Sequence, residues 1–299
     1  MATPSSGEPS PAALVESAKR AAAFEAVKNH FTPSMTHVGI GSGSTVAYVV
    51  EAIAAAMQEA GSNSCVFVPT GSQSRGLILA AGLTAIQYES IGEQQMLDVA
   101  FDGADECDAD FNLVKGGGLC LFQEKLVAIK AKTFICVADF RKDSQQLLTT
   151  WPYIPIEVCP MASSYVIAAL KALGSPDPQV RLMNTGTQSP GNVGPSPMKT
   201  DQNFWIVMAP FPPLLTSKDA SAAGTEGKTT EGLTGKLWEV SQLASAIKSI
   251  PGVLDVGIFT GVNGPEAQAQ EGQGGQKPIA AYFGMSDGTV KVRTADLKA

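Results

Sequence analysis

The residues with the most chemical potential fall in one run, residues 98–125 (DVAFDGADECDADFNLVKGGGLCLFQEK). Two carboxylates three positions apart, Asp102 and Asp105, precede a lysine, Lys115, three successive glycines, Gly116, Gly117 and Gly118, and the pair Glu124-Lys125. Carboxylates held close to a lysine and to bare backbone donors suit acid/base chemistry on an intermediate that carries negative charge. Each piece alone has a plainer reading: Asp102-Gly103 as a turn, Lys115 as a solvated charge, the glycines as a flexible connection. Their density in a single run favours a site.

Such a site needs elements to position it. Residues 97–101 are mostly apolar and end in Asp-Gly, which predicts a buried strand delivering Asp102 to its carboxyl end. Open parallel α/β sheets place ligands there. Gly116 to Gly118 let the backbone approach a ligand with its amides free, and the spacing of Leu119, Phe122, Leu126 and Val127 predicts a helix carrying Glu124 near its start. Ahead of this run, residues 12–30 are alanine-rich and predict a helix bearing Lys19 and Arg20, a pair that reads first as solvated surface charge and second as a phosphate contact. Residues 36–40 predict a strand, followed by Gly41-Ser42-Gly43-Ser44-Thr45 and a helix over 46–60. A glycine-rich turn at the positive end of a helix dipole suits a phosphate. It is not a Walker A loop, a full GxGxxG or a GxSxG elbow, since Lys and the required Gly positions are absent. A strand over 65–68, a helix over 73–81, a strand over 83–87 and a strand over 133–138 continue the alternation. The last ends in Asp139-Phe140-Arg141-Lys142, which puts Arg141 and Lys142 on the ligand face. This order predicts an α/β fold with a doubly wound, Rossmann-like large domain.

From residue 151 the pattern changes to strand 154–159, helix 161–173, strands 179–183 and 203–209, helix 237–250 and strand 253–259. That βαββαβ order predicts a smaller ferredoxin-like α+β domain. The expected organisation is a disordered tail over 1–11, a Rossmann-like catalytic domain over 12–150, and the small domain over 151–260 with loop insertions at 184–200 and 216–235. An insertion loop and closing hairpin over 261–299 return to the large domain. The low-complexity stretches 184–200, 216–235 and 261–277 are expected to be mobile surface loops without a catalytic role.

A length of 299 residues fits about two domains. Hydrophobic content of 44% with 16% charged residues describes a globular chain with a sizeable core. A net charge of -7 and a pI near 4.9 argue against a nucleic-acid partner, while leaving room for a local basic pocket that takes a small phosphate. Five widely spaced cysteines predict reduced thiols of a cytoplasmic protein. His30 and His37 lack the company of a structural zinc site, so no metal is expected. Residues 1–11 lack the features of a signal peptide, and no apolar run is long enough to span a membrane.

Seven motifs together closely resemble the ribose-5-phosphate isomerase family of type A: GIGSGST (39–45), DGADECD (102–108), NLVKGGG (112–118), EKLVA (124–128), VADFRK (137–142), IPIEVCPMA (154–162) and IPGVLDVGIF (250–259). The likeness is collinear from about residue 16 onward, apart from the three low-complexity stretches. It implies interconversion of D-ribose 5-phosphate and D-ribulose 5-phosphate through an enediolate, in the non-oxidative pentose phosphate pathway, without a cofactor, and assembly as a homodimer or homotetramer. By the same resemblance Glu124 is the base, Asp102 and Asp105 handle the C1 and C2 oxygens and ring opening, and Lys115 with the Gly116, Gly117 and Gly118 amides holds negative charge. Ser42, Gly43, Ser44, Thr45, Gly103, Ala104 and Lys142 bind the sugar phosphate. One departure stands out: the family's Thr-Asp-Asn-Gly-Asn turn is here Thr200-Asp201-Gln202-Asn203-Phe204, which predicts loss of the glycine turn. Three rivals have different consequences. A sugar-phosphate sensor usually carries a DNA-binding domain ahead of such a fold, for which residues 1–11 are too few. A coenzyme A transferase uses a glutamate nucleophile but lacks the DGAD and KGGG pairing. An inactive interaction subunit need not retain every site residue, as this chain does.

Overall fold

The computed structural model describes residues 10–61, 64–183, 195–222, 230–231, 236–270, 272 and 274–296. The alanine-rich helix α1 (Pro11–His30) starts within the stretch expected to be a tail, because Ser10 accepts a hydrogen bond from Ala13 N at 3.3 Å and Pro11 occupies the first turn, where its missing N–H costs nothing. Residues 1–9 lie outside the described residues. Next come β1 (His37–Ile40), α2 (Val46–Ala60), β2 (Val66–Pro69), α3 (Ser72–Ala80), β3 (Thr84–Ala85), β4 (Val99–Asp102), β5 (Glu106–Cys107), β6 (Leu113–Val114), α4 (Leu121–Lys130) and β7 (Phe134–Asp139). The second half contributes β8 (Ile154–Val158), α5 (Ser163–Ala172), β9 (Gln179–Val180), β10 (Trp205–Ala209), α6 (Ser217–Ala222), β11 (Thr230–Glu231), β12 (Lys236–Leu237), α7 (Val240–Lys248), β13 (Val253–Val256), β14 (Ile258–Phe259), α8 (Gly264–Ala269), β15 (Ala280–Gly284) and β16 (Val290–Thr294).

Seven strands form the main sheet in the order β16-β15-β7-β4-β1-β2-β3, parallel except for β16. β4 and β7 are buried along their whole length, as strands covered on both faces must be. Alternate residues of β7 go to opposite sides: Ile135 and Val137 join α1 and α2 in one core, while Phe134, Cys136 and Ala138 join Val127 and Ala128 of α4 in another. The closing hairpin β15–β16 extends this sheet through β7. Strand order reverses where β1 meets β4, which puts the switch point of the sheet beside Asp102.

A second, antiparallel sheet has the order β13-β8-β10-β9, and its core draws Ile154, Ile156 and Val207 together with Val166 of α5 and Leu243 and Ile247 of α7. Three details differ from expectation. The run 253–259 is not one strand: it breaks at Gly257, so β13 pairs with β8 while β14 pairs with β6. Gly257 ties the second sheet to a small third sheet, β14-β6-β5, its N–H donating to Pro155 O at 2.7 Å and its carbonyl accepting from Lys115 N at 2.8 Å. The stretches expected to be loops contain α6, β11, which pairs with β12 just beyond them, and α8, the last with an Asn263–Glu266 capping box. Residues 184–194, 223–229, 232–235, 271 and 273 of those stretches lie outside the described residues. Finally, the turn at 200–204 survives without glycine. Asn203 takes φ 64°, a conformation asparagine tolerates, and Asn203 N donates to Thr200 O at 2.9 Å.

No helix among the described residues is long and apolar enough to cross a membrane. The junction at Gly257 gives a direct test of the packing. A Cβ there would lie 2.3 Å from Lys115 O and 2.6 Å from Pro155 O, both backbone atoms. Gly257→Ala is therefore expected to lose about 1–3 kcal/mol of stability in urea denaturation, the usual cost of overpacking; an unchanged midpoint would contradict this reading of the junction.

Candidate active site

Parallel strands β1, β4 and β7 all end at one cavity of about 260 Å³. β1 is followed by Ser42, Gly43, Ser44 and Thr45, β4 by Gly103, Ala104 and Asp105, and β7 ends in Ala138 and Asp139 with Arg141 and Lys142 just beyond; all of these line the cavity. The loop after β6 adds Lys115, Gly116, Gly117 and Gly118, the first turn of α4 adds Glu124, and α1 adds Lys19. Sequence reasoning left Lys19 and Arg20 open. The structure turns Lys19 inward, where Nζ donates to Ser44 Oγ at 2.9 Å, and turns Arg20 outward to Glu51 at 2.7 Å.

Asp102 does not line the cavity. It is 4% exposed, and its Oδ1 accepts from Ser42 N at 3.0 Å and Gly103 N at 2.7 Å. Gly41 makes this approach possible, since a Cβ there would lie 2.0 Å from the Asp102 carboxylate. Asp102 Oδ2 pairs with Lys115 Nζ at 2.8 Å, and the same ammonium donates to Gly103 O at 2.7 Å. On its other side Lys115 Nζ lies 3.3 Å from Glu124 Oε2, a buried oxygen with no hydrogen-bond partner among the described residues. Asp105 accepts from Gly117 N at 2.9 Å, so that amide is spoken for and the glycine amides are not all free, as the sequence had suggested.

Electrostatics follow from this crowding. Burial, reinforced by the neighbouring Glu124 charge and opposed by Lys115, pushes the Asp102 carboxyl up to about 7. Burial also raises Asp105, against the pull of the Gly117 amide, Lys115 and Lys142. For Lys115 burial disfavours the charge, but Asp102 and Glu124 outweigh it and hold the ammonium above its ordinary value. The cavity is thus bordered by a held cation, Lys115, beside two carboxyl groups, Asp102 and Asp105, that burial raises above their ordinary values.

Other residues of the motifs serve the frame. Lys125 points away from the cavity, its Nζ donating to Asp255 Oδ1 at 2.7 Å, Val256 O at 2.6 Å and Ile258 O at 3.1 Å. Glu106 accepts from the N–H groups of Leu148, Thr149 and Thr150, and those bonds with the Ser144 and Thr149 hydroxyls hold it below its usual value despite burial. Arg141 grips Asp139 with two bonds, 2.6 and 3.0 Å, and Lys142 Nζ sits 4.9 Å from the centre of the Trp151 ring. Contacts from the second sheet were not foreseen: Asp201 accepts from Ser72 N at 2.9 Å, and Arg181 reaches Gly117 O at 2.7 Å. Neither carries a local signal, because each acts on a residue far away in sequence. Among the described residues no group of three or more His, Cys, Asp or Glu could hold a metal ion.

Helix α2 begins at this cavity without a capping side chain, leaving its first amides and the positive end of its dipole for an anion. Fold and site together define a class, an α/β enzyme that moves protons on a small anionic substrate. Comparison with known proteins narrows the class. The family described as Ribose 5-phosphate isomerase A (phosphoriboisomerase A) matches residues 66–269. The ribose-5-phosphate isomerase of Mycosarcoma maydis is 38% identical over 282 residues, covering 94% of this chain and 82% of that protein. That of Debaryomyces hansenii is 38% identical over 282 residues, covering 94% and 92%. Among solved structures, ribose 5-phosphate isomerase A from Methanocaldococcus jannaschii superposes with a TM-score of 0.69 at 26% identity, over 94% of this chain and 99% of that one. A D-ribose-5-phosphate isomerase in complex with phospho-erythronic acid gives 0.71 at 26% identity, with the same coverage. The chain belongs to the ribose 5-phosphate isomerase A family, a family of enzymes.

The raised Asp102 carboxyl has a signed consequence for stability. Between 3.8 and about 7 the folded protein keeps a proton on Asp102 that the unfolded chain has released. Its contribution is thus complete below the unfolded value and is lost as pH rises through that window. Relative to Asp102→Asn, the wild type is expected to lose stability steadily from the lower to the upper end of this range, in urea denaturation at a series of pH values. Parallel curves would contradict the assignment.

Proposed function

We propose that this chain interconverts D-ribose 5-phosphate and D-ribulose 5-phosphate through an enediolate, with Glu124 as the base. The observation that carries this reading is Glu124 Oε2, buried beside Lys115 without a hydrogen-bond partner among the described residues, in a residue that lines the cavity. Asp102 already accepts three donors, whereas this oxygen has its capacity free for a substrate proton.

In the open-chain aldose, the hydrogen on C2 is acidified by the adjacent C1 carbonyl. Glu124 removes it, the electron pair forms the C1–C2 double bond, and charge moves onto the C1 oxygen. The Lys115 ammonium and the Gly116 and Gly118 amides hold that charge. Glu124 then returns the proton to C1, and the C2 hydroxyl proton passes by way of Asp105 to the C1 oxygen, so C1 is reduced and C2 oxidised within one molecule. Asp105, facing the cavity, exchanges protons with the sugar oxygens and aids ring opening, while Asp102 acts through Lys115. Ser42, Gly43, Ser44 and Thr45, with Lys19 and the start of α2, take the phosphate; Lys142 and Arg141 add positive charge, and Gly103 and Ala104 line the sugar. This chemistry needs no metal or organic cofactor.

The same reading includes a Rossmann-like domain over 12–150, a ferredoxin-like domain over 151–260, and a closing segment over 261–299 that rejoins the first. The strand orders of the two sheets support it. A cytoplasmic location in the pentose phosphate pathway fits five free cysteines, four of them buried. Assembly as a homodimer or homotetramer fits the exposure of Met161 (93%) and Tyr165 (58%) on the second unit.

The test is formation of ribulose 5-phosphate from ribose 5-phosphate by the purified protein and by Glu124→Gln. The substitution is expected to lower turnover by about 10²–10⁴-fold, the usual worth of a general base, with little change in KM. A variant within about tenfold of wild type would remove Glu124 from this role. Binding of the sugar phosphate without turnover in wild-type protein would favour the sensor reading.

A further inference from the structure

Arg181 follows β9 in the second sheet and does not line the cavity, yet its Nη1 donates to Gly117 O at 2.7 Å, across 64 positions of sequence. Its backbone is fixed on both sides, with Arg181 N donating to Ile206 O at 2.8 Å and Met198 N donating to Arg181 O at 2.9 Å. Gly117 is held on its other side by Asp105, whose carboxylate packs so closely that a Cβ on Gly117 would lie 2.8 Å from Oδ2. The peptide joining Gly117 to Gly118 therefore has its carbonyl turned toward Arg181. In a planar trans peptide the carbonyl and the N–H point in opposite directions, so the Gly118 N–H is turned away from Arg181. Gly118 lines the cavity, and among the described residues its N–H donates to no protein atom.

We infer that Arg181 is a positioning residue for the reaction, fixing and polarising the Gly117–Gly118 peptide so that the Gly118 N–H is presented to the developing oxyanion. The inference rests on the isomerase reading above. A run of three glycines is the backbone most able to flip a peptide, because glycine enters both signs of φ at similar cost. A flip here would withdraw the donor and aim a carbonyl at negative charge. The guanidinium opposes the flip by a charge-assisted bond and draws electron density toward the carbonyl, which strengthens the N–H as a donor. The second sheet thus reaches the chemistry without contributing a side chain to the cavity.

The test compares wild type, Arg181→Met and Arg181→Lys for kcat and KM with ribose 5-phosphate, for inhibition by phospho-erythronic acid, and for thermal stability. Removing an oxyanion donor outright costs about 10²–10³-fold, so loosening one is expected to lower kcat of Arg181→Met by about 10–100-fold. KM should stay within about threefold, because the neutral substrate oxygen uses this donor least. The acid, whose carboxylate places negative charge at the reacting end, should lose affinity by a factor similar to the loss in kcat. Arg181→Lys, which keeps a cation, should recover part of both. If Arg181→Met does not fold, Arg181→Gln is read by the same criteria. A folded variant with kcat and inhibitor affinity within about threefold of wild type would overturn the proposal, as would a loss confined to KM and thermal stability. Wild-type protein without turnover would instead defeat the isomerase reading itself.

Discussion

One buried ammonium organises this molecule. Lys115, 3% exposed, is the cation between Asp102 at 2.8 Å and Glu124 at 3.3 Å, with Asp105 on the same cavity. Without it, buried carboxylates would face one another in a medium where charge is poorly screened, and such groups neutralise or force the structure apart. The cation offsets part of the burial that raises Asp102 and Asp105, and it is the charged neighbour of Glu124 Oε2. Backbone contacts fix its place: Lys115 N donates to Gly257 O, and its Nζ donates to Gly103 O. Lys115 also lies 5.5 Å from the centre of the Phe259 ring, an apolar neighbour that keeps this side of the ammonium out of water.

The division of labour between the two sheets follows from that centre. Every residue lining the cavity precedes position 143, so the parallel strands, the loop after β6 and helices α1 and α4 supply its walls. The antiparallel sheet supplies restraint. Asp255 and two carbonyls beside it anchor Lys125, the residue next to Glu124 on α4, and Glu157 accepts from Phe122 N in the first turn of the same helix. Asp201 holds Ser72 at the start of α3, and Arg181 holds the glycine loop. A helix carrying the proposed base one turn from its start is prone to fray, and contacts at that end limit the positions the carboxylate can occupy.

Legibility in the sequence tracked distance along the chain. The strand ending at Asp102, the Gly-Ser-Gly-Ser-Thr turn ahead of α2 and the helix bearing Glu124 were readable because each motif and its element are contiguous. The alternation of strand and helix also gave the parallel sheet, since crossover connections leave few other solutions. What local patterns could not show was direction. Lys125 was grouped with Glu124 as site chemistry but faces Asp255 on the other side of the helix. The break at Gly257 was hidden in an unbroken apolar run, because both halves are strands and only their partners differ. The loss of glycine from the turn at 200–204 suggested altered geometry, yet Asn203 adopts the left-handed conformation itself. α6 and α8 were masked by composition: their stretches are rich in small and polar residues that carry little periodicity.

The central claim is that Glu124 carries a proton between two carbons through an enediolate. Isomerisation of ribose 5-phosphate in deuterium oxide, followed by NMR of the ribulose 5-phosphate formed, tests it most directly. A proton held on a carboxylate within a cavity open to solvent exchanges during the lifetime of the intermediate, so the account predicts deuterium at C1 of the product. Complete transfer of the C2 hydrogen to C1, with no deuterium taken up, would signify a hydride shift and contradict the account.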